Sequence, residues 1–289
     1  MTEAIKNRYE FVVLFDVENG NPNGDPDAGN MPRIDYEAGN GIITDVCIKR
    51  KVRNFVEITK EGRKGFDIYV KDGAILNNKN LEAYEANKIK HKEKELPKDE
   101  TQAKSITAYM CERFYDIRTF GAVMTTKVNC GQVRGPVQFT FSKSIDPIVQ
   151  QEVTLTRIAV TDEGDKAAAT GHTMGKKFIV PYGLYRMEGY ISPYFAKQTG
   201  FSEEDKTLLF EALMNMFEHD HSSARGKMSV RKMWVFKHNS ELGNAPANKL
   251  FDSITIKCKD EQMPTRSFSD YKIEKIGAMP TGVKIEELL

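Results

Sequence analysis

A chain of 289 residues is long enough for one large domain or two small ones, with ample material for a core. Its 42 lysines and arginines face 41 aspartates and glutamates, so the net charge of +1 excludes a whole-molecule field that attracts nucleic acid, and any basic surface has to be local. The four cysteines form no Cys-x-x-Cys pair, which argues against a zinc knuckle or a disulfide framework and indicates a reducing, cytoplasmic location. We expect no membrane partner, because no apolar run approaches membrane-spanning length and the first residues do not read as a signal segment.

The first predicted element is a strand that ends in an unusual loop. Tyr9 to Val17 is apolar on both faces, which predicts a central buried strand. The loop that follows, from Asn19 to Asp35, is dense in Gly, Pro, Asn and Asp, and such a loop lies on the surface. It matches the spacing of a calcium-binding loop, but Asn stands at the first and last ligand positions, so we do not expect a metal there.

A basic helix is predicted next. Thr44 supplies an N-cap, and residues 46–59 carry apolar side chains at helical spacing. Lys49, Arg50 and Arg53 lie off the apolar stripe, near a helix start whose amides favour phosphate, and we expect no acid beside them. Residues 49–64 contain seven basic and two acidic side chains, a local charge of +5. The pattern predicts a contact with RNA or DNA, and the alternative is an ordinary solvated face.

The middle of the chain predicts an insertion and a second loop. An Asp-Gly pair at 72–73 is typical of a hairpin, and the Lys- and Glu-rich stretch 77–104 predicts a solvated helical excursion rather than core. Helical spacing returns at 99–114. Glycines bracket Arg134 in the stretch 131–135, and a glycine loop of this kind would let the backbone approach a phosphate closely.

Alternating and polar stretches then predict strands around a flexible segment. Residues 137–145 alternate as a half-buried strand with Phe141 facing inward. Strands at 152–160 and 178–191 flank a polar, glycine-punctuated segment, which predicts a protruding hairpin with a mobile tip. Met174 is the apolar residue near its end, and either it is a wedge for a base stack or a neighbouring subunit, or the segment is a plain surface loop.

The C-terminal third completes the predicted fold. Ser202 caps a helix that runs to His219, and strands are predicted at 230–237 and 250–257. The order strand, helix, strands, helix, strand indicates an α+β protein with a ferredoxin-like sheet and long insertions, in one domain over residues 1–289.

Catalysis has little support in the pattern. Asp16, Asp25, Asp27 and Asp35 could hold a metal for a nuclease, but loop aspartates are more often held by their own backbone hydrogen bonds. His219 and His221 alternate and would point to different sides of a helix. We therefore expect no catalytic residue, no metal and no cofactor.

Several sequence blocks resemble a known family. The blocks are Asn19-Gly20-Asn21-Pro22-Asn23-Gly24-Asp25-Pro26, the helix residues 44–54, the stretch 114–123, Gly131-Gln132-Val133-Arg134-Gly135-Pro136, and Ser223-Ala224-Arg225-Gly226. They resemble the backbone subunit of CRISPR type I surveillance complexes (Cascade), in the RAMP superfamily, with subtype I-C as the branch that fits best.

The resemblance implies an RRM-like palm, a helical finger insertion at 60–113 and a thumb hairpin at 155–178. It also implies copies stacked head to tail along a guide crRNA, whose bases pair with target DNA, together with other Cascade subunits that cap the 5′ end or form the large subunit. The residues expected to hold the RNA are Arg33, Lys49, Arg50, Arg53, Gln132, Arg134, Gly135 and Arg225, with Thr173 and Met174 displacing a base. The alternative function is metal-dependent RNA cleavage, as in type III backbone subunits, by a loop aspartate such as Asp25 or Asp27.

Overall fold

One large antiparallel sheet organises the protein. The structure is a computed structural model that describes residues 3–157, 159 and 173–289. The helices of these residues are α1 (Asp45–Thr59), α2 (Leu76–Ala86), α3 (Glu100–Arg113), α4 (Tyr115–Phe120), α5 (Pro193–Thr199), α6 (Glu203–Asn215) and α7 (Ala247–Phe251). The strands are β1 (Tyr9–Gly20), β2 (Gly24–Asp25), β3 (Met31–Pro32), β4 (Asn40–Ile43), β5 (Gly121–Thr125), β6 (Asn129–Arg134), β7 (Val137–Phe139), β8 (Ser142–Pro147), β9 (Gln151–Arg157), β10 (Thr173–Ile191), β11 (Lys227–His238), β12 (Ile254–Cys258), β13 (Tyr271–Lys275) and β14 (Val283–Glu287).

The predicted central strand lies in the middle of this sheet. Its strand order is β14-β11-β1-β10-β8-β4, and β7 and β9 also pair with β10. β1 pairs antiparallel with both β10 and β11, and its residues from Tyr9 to Val17 are all buried. The prediction of an α+β protein is confirmed in this coarse form.

The two faces of β1 belong to two different cores. Phe11, Val13 and Phe15 pack with the apolar stripes of α1 and α6 on one face. Val12 and Leu14 pack on the other face, against a cluster that includes α7, β12 and β13. A strand that is apolar on both faces is needed because both faces are covered.

The two predicted amphipathic helices form for the predicted reasons. The Thr44 hydroxyl accepts a hydrogen bond from the Cys47 amide at 3.3 Å, and the apolar stripe of α1 is buried. Ser202 and Asp205 form a capping box at the start of α6. Helix α6 ends at Asn215, four residues before the predicted end at His219.

The insertion differs from its prediction. The Asp-Gly pair at 72–73 turns the chain into helix α2 instead of a second hairpin strand. Tyr84 of α2 is buried in a third hydrophobic cluster with residues of α3 and β6, so the excursion 77–104 is only partly solvated. The predicted glycine loop at 131–135 is also wrong, because residues 129–134 form strand β6, which pairs with β5.

Two strands near the sheet edge also depart from their prediction. The alternation at 137–145 breaks after Phe139, where the strand divides into β7 and β8, so that Phe141 is 58% exposed while Ser142 is buried. A one-residue shift sends every later side chain to the opposite face. Residues 250–257 do not form one strand, because Leu250 and Phe251 end helix α7 before β12 begins.

A two-stranded ribbon projects from the sheet. β9 pairs antiparallel with the first part of β10, from Arg157 opposite Thr173 to Gln151 opposite Ile179. The remainder of β10 continues into the central sheet, where Val180 lies opposite Gly20. The predicted polar segment covers residues 161–177. Its residues 173–177 belong to strand β10, which corrects the prediction there, and residues 161–172 lie outside the described residues.

Ion pairs of Glu287 join the C-terminal strand β14 to strands β11 and β13. The Glu287 carboxylate accepts hydrogen bonds from Lys232 at 2.8 Å and from Lys275 at 2.5 Å. These bonds lower the pKa of Glu287 to about 2. Within the described ranges, no helix is both long enough and apolar enough to span a bilayer.

Candidate nucleic-acid interface

The turn-rich loop after β1 is a folded unit. Its strands β2 and β3 pair, with Gly24 opposite Pro32. The Asn21 side-chain amide donates to the Asn30 carbonyl at 2.7 Å, and Asn19 and Asn30 adopt left-handed backbone conformations with φ of 52° and 66°. Asparagine tolerates this conformation better than most residues, which explains its abundance in the loop. The loop is therefore held in one shape by its own backbone and side chains.

The same loop contacts two other parts of the site. The Asn23 side-chain oxygen accepts from the Thr44 amide at 3.0 Å and from the Thr44 hydroxyl at 3.1 Å, which joins the loop to the start of α1. The Asn21 amide donates to the Ala224 carbonyl at 2.6 Å, which joins it to the segment that carries Arg225. The Arg33 amide donates to the Asn23 carbonyl at 3.1 Å. The predicted residue Arg33 thus lies in this loop, and Arg50 and Arg225 belong to the two segments that contact it.

The basic helix α1 has fewer basic side chains without an ion pair than its sequence predicts. Lys49 pairs with Asp45 at 2.9 Å, one turn earlier, and Arg53 pairs with Asp116 at 2.8 Å. The expectation that no acid lies beside these residues is wrong for both. Arg50 is exposed and forms no ion pair with any residue in the described part of the chain. It is the cation on this helix that most readily reaches a bound phosphate.

Arg53 is part of a buried junction between helix and insertion. The Asp116 carboxylate, 1% exposed, accepts from the Arg53 Nε and also from the amides of Tyr69 at 2.7 Å and Val70 at 3.0 Å. Three protein donors therefore bind this buried carboxylate. Arg53 therefore stabilises the fold, since a buried carboxylate that loses its ion-pair partner destabilises the folded state.

Arg225 and Arg33 are partly committed to carboxylates. The Arg225 Nε lies 2.8 Å from Asp220, which also pairs with the buried Lys51 of α1. Arg33 lies 3.3 Å from Asp25, and its side chain is 31% exposed. Arg225 also donates to the Asp220 carbonyl at 3.4 Å and from Nη2 to the Asp220 carboxylate at 3.5 Å. A guanidinium has five N–H donors, so each keeps further donors for a phosphate.

The second predicted patch is built on β6 rather than on a loop. Gln132 and Arg134 are exposed on this strand, and the Arg134 guanidinium lies over the Phe195 ring at 4.4 Å. Gly135 packs tightly against the chain itself: a Cβ there would lie 2.2 Å from the Phe120 backbone. The close approach that this glycine allows is therefore to Phe120 and Gly121.

Phe120 connects the two patches. Lys49 and Arg53 lie over its ring, at 5.6 and 5.4 Å from the ring centre. Gly121, the next residue, pairs with Arg134 in the β5–β6 ladder. Sequence reasoning missed Phe120, whose only signal is its place in the block 114–123.

The ribbon rises from the same end of the sheet. The Lys177 ammonium donates to the Ser223 hydroxyl at 3.4 Å, beside the Arg225 segment. Met174 is 72% exposed on the ribbon, and Thr173 lies opposite Arg157 in the ladder. Lys177 was not predicted as a site residue, although it lies within the predicted thumb hairpin at 155–178.

The carboxylates of Asp25 and Asp35 accept hydrogen bonds from donors of this chain. Asp25 accepts from the Asp27 amide at 3.2 Å and pairs with Arg33. Hydrogen bonds from the Ala38 amide and the Lys143 ammonium lower the pKa of Asp35.

Burial raises the pKa of the Cys47 thiol, which disfavours a reactive thiolate at the start of α1. Among the described residues, no group of three or more His, Cys, Asp or Glu side chains is placed to hold a metal ion.

The fold and the site define an α+β protein with a candidate polyanion-binding surface at one end of its sheet. The family of CRISPR-associated protein Cas7 matches residues 7–275, and this chain belongs to that family. The resemblance to a CRISPR protein family is thereby confirmed.

The chain is also similar to individual proteins. A protein of Haloferax volcanii described as CRISPR-associated protein Cas7 is 27% identical over 292 residues, which cover 93% of this chain and 80% of that protein. A chain of a CRISPR RNA-guided surveillance complex in a pre-nicking state is 13% identical with a TM-score of 0.49, over 79% of this chain and 78% of that one. A chain of another CRISPR RNA-guided surveillance complex is 14% identical with a TM-score of 0.46, over 79% and 68% of the two chains.

Proposed function

We propose that this chain is the non-catalytic backbone subunit of a type I-C Cascade complex and that it binds guide crRNA through the sugar-phosphate backbone. The observation that carries the proposal is that one folded loop, which itself carries Arg33, contacts two other arginine-bearing segments. The Asn23 side chain bonds the start of α1, and the Asn21 amide bonds the segment that carries Arg225. The type I-C assignment is supported by the sequence blocks and not by the sheet.

The contacts fit a ligand of variable sequence. Arg50 offers an open guanidinium, and Arg33 and Arg225 offer the donors that their carboxylate partners leave free. Arginine forks match phosphate oxygens without reading bases, which suits a guide whose spacer differs from one copy to another. The net charge of the whole chain is only +1, so the basic surface that binds the guide has to be local.

The sheet order supports an RRM-like palm. The core elements follow the order β1, α1, β7–β8, β10, α6, β11, and both helices pack on the same face. The β9–β10 ribbon is the proposed thumb, which would cross the RNA held by the next copy and displace a base with Thr173 and Met174. Copies related in this head-to-tail way form an open filament along the guide, which leaves bases available for target DNA.

Purification of the chain tests RNA binding directly. We expect RNA to co-purify, seen as a raised ratio of nucleic-acid to protein absorbance, and nuclease to convert long assemblies into shorter ones. A monodisperse monomer without RNA, and without affinity for added crRNA, would contradict the proposal.

The cleaving alternative has one remaining candidate residue. Asp25 is engaged by Arg33 and a backbone amide, whereas Asp27 is exposed. We expect no cleavage when the assembled complex is incubated with complementary RNA and Mg²⁺. Regularly spaced cuts that disappear in Asp27→Ala would instead establish the enzyme.

A further inference from the structure

One carboxylate joins the basic helix α1 to the segment that carries Arg225. Asp220 lies between α6 and β11, and its side chain is 15% exposed. It pairs with the Lys51 ammonium of α1 and with the Arg225 guanidinium, whose Nε lies 2.8 Å from the carboxylate. Neither Asp220 nor Lys51 was among the residues predicted to hold RNA, yet both lie within the candidate interface.

Lys51 is the buried partner of this carboxylate. The residue is 4% exposed, and its ammonium lies over the Phe217 ring, 5.4 Å from the ring centre. An ammonium buried in this way does not reach a phosphate at the surface, so its charge acts on Asp220 instead. Lys51, Arg225 and Asp220 are two cations and one carboxylate, which leave a local charge of +1. Without Lys51, the carboxylate would cancel the charge of Arg225 and repel a bound phosphate.

Asp220 determines which edge of the Arg225 guanidinium faces away from the protein. The Nε lies 2.8 Å from one carboxylate oxygen, and Nη2 donates to the other at 3.5 Å. The Nε also donates to the Asp220 carbonyl at 3.4 Å. Across the described part of the chain, Nη1 donates to no protein acceptor, and the side chain is 33% exposed. The edge formed by Nη1 and Nη2 is therefore the one left for a phosphate fork.

The backbone around Arg225 is also held in place. The Arg225 amide donates to the Ser222 carbonyl at 3.0 Å, and the Ser222 amide donates to the Arg225 carbonyl at 3.1 Å. The Ala224 carbonyl accepts from the Asn21 amide of the turn-rich loop. Hydrogen bonds thus fix the backbone of Arg225, and Asp220 fixes its side chain.

An arginine side chain that is already ordered binds a phosphate more tightly than a free one. Immobilising one long side chain on binding lowers affinity by about 2- to 10-fold. A carboxylate that orders Arg225 before RNA arrives removes this loss. A carboxylate beside a polyanion is otherwise unfavourable, and the buried Lys51 offsets that effect.

We propose that Asp220 is a positioning residue of the guide site: with its charge offset by Lys51, it holds the Arg225 guanidinium in the orientation that receives a guide phosphate. This inference rests on the proposed function, because it requires that Arg225 contacts guide RNA. Asp220 itself does not touch the RNA.

Asp220→Asn tests the inference, because charge and positioning predict opposite results. The substitution keeps the size of the side chain and removes a negative charge from the site. If Asp220 acted on RNA through its charge alone, affinity would rise. Loss of positioning should instead lower affinity by about 2- to 10-fold. Fluorescence anisotropy of the full-length chain with a labelled single-stranded RNA measures this, at one fixed salt concentration because affinity depends on salt. Equal or tighter binding would overturn the inference.

Glu241→Gln is the matched control. Glu241 forms an exposed ion pair with Lys197. It lies at the opposite end of the sheet, beyond the end of β11 that pairs with Tyr9. This variant loses the same charge and one ion pair far from the site, so it should bind RNA as the wild-type chain does.

Arg225→Ala distinguishes positioning from a general effect on the fold. In the Arg225→Ala background there is no guanidinium to orient, so Asp220→Asn should not weaken RNA binding further. The same loss with and without Arg225 would show that Asp220 acts only through the fold, and the inference would be wrong. Lys51→Met with Asp220→Asn repeats the cycle without leaving a buried charge unpaired, so the test holds even if Asp220→Asn alone unfolds.

The same measurements separate this inference from the proposed function. If Arg225→Ala bound RNA as the wild-type chain does, Arg225 would not belong to the guide site, and both proposals would fail there. If Arg225→Ala weakened binding while Asp220→Asn did not, only the positioning role would be overturned.

Discussion

Two arginines three residues apart on α1 should have different effects when removed. Arg53→Ala leaves the Asp116 carboxylate, 1% exposed, without its guanidinium. Breaking a buried ion pair costs about 3–5 kcal/mol. Asp116 keeps the amides of Tyr69 and Val70, so we expect the lower end, about 3 kcal/mol. That loss lowers the melting temperature by roughly 6–10 °C.

Arg50→Ala is the matched variant, because Arg50 is exposed and makes no ion pair in the described part of the chain. We expect an unchanged melting temperature. The loss of one charge-assisted hydrogen bond to phosphate, about 1.5–3 kcal/mol, should weaken RNA binding by about 10- to 100-fold. The slope of log affinity against log salt should fall by about 0.7.

Differential scanning fluorimetry and RNA titration of both variants separate the effect of each substitution on stability from its effect on RNA affinity. Arg53→Lys is a further control, since it keeps the charge and loses the guanidinium Nε that Asp116 accepts from. If Arg53→Ala melted like the wild-type chain and lost RNA affinity as Arg50→Ala does, the assignment of Arg53 to a structural junction would be refuted.

Three further outcomes are expected. Gly135→Ala places a Cβ 2.2 Å from the Phe120 backbone and should destabilise the fold by about 3 kcal/mol or more, measured by urea unfolding; a wild-type midpoint would contradict the close contact between Gly135 and Phe120. Met174→Ala, at a position 72% exposed, should leave the melting temperature unchanged while chemical probing shows fewer regularly spaced reactive bases in bound guide; an unaltered pattern would exclude the wedge. Glu287→Gln should lower stability at neutral pH by roughly 1 kcal/mol, discounted because the carboxylate is partly exposed. Hydrogen bonds from its two lysine partners depress the folded pKa of Glu287 to about 2 from 4.5, so its contribution is present above pH 4.5 and disappears toward pH 2; a variant deficit that persists at pH 2 would contradict this reasoning.

Phe120 contacts both basic patches, so a structural change in one patch is expected to alter the other. Its ring supports Lys49 and Arg53, and its neighbour Gly121 pairs with Arg134. A substitution that moves this ring disturbs both patches, even though neither contains Phe120 itself. RNA-binding variants in this region therefore need a stability measurement beside each affinity.

Local patterns in the sequence determined much of the protein. The apolar run of β1, the Thr44 cap with the stripe of α1, and the Ser202 capping box of α6 all lie where the pattern predicts. Each depends on residues within a few positions of one another, so chain neighbours carry the whole signal. The family was also identified from sequence blocks, whereas the start of β10 at residues 173–177 was assigned to the flexible segment.

Long-range packing decided the rest. Asp116 reaches Arg53 across 63 residues, and Ala224 reaches Asn21 only because β1 and β11 are sheet neighbours. The outward turn of Phe141 followed from a break between β7 and β8. Such distant partners determine which basic side chains form ion pairs. An ion pair depends on where the fold places two side chains and not on their separation along the chain.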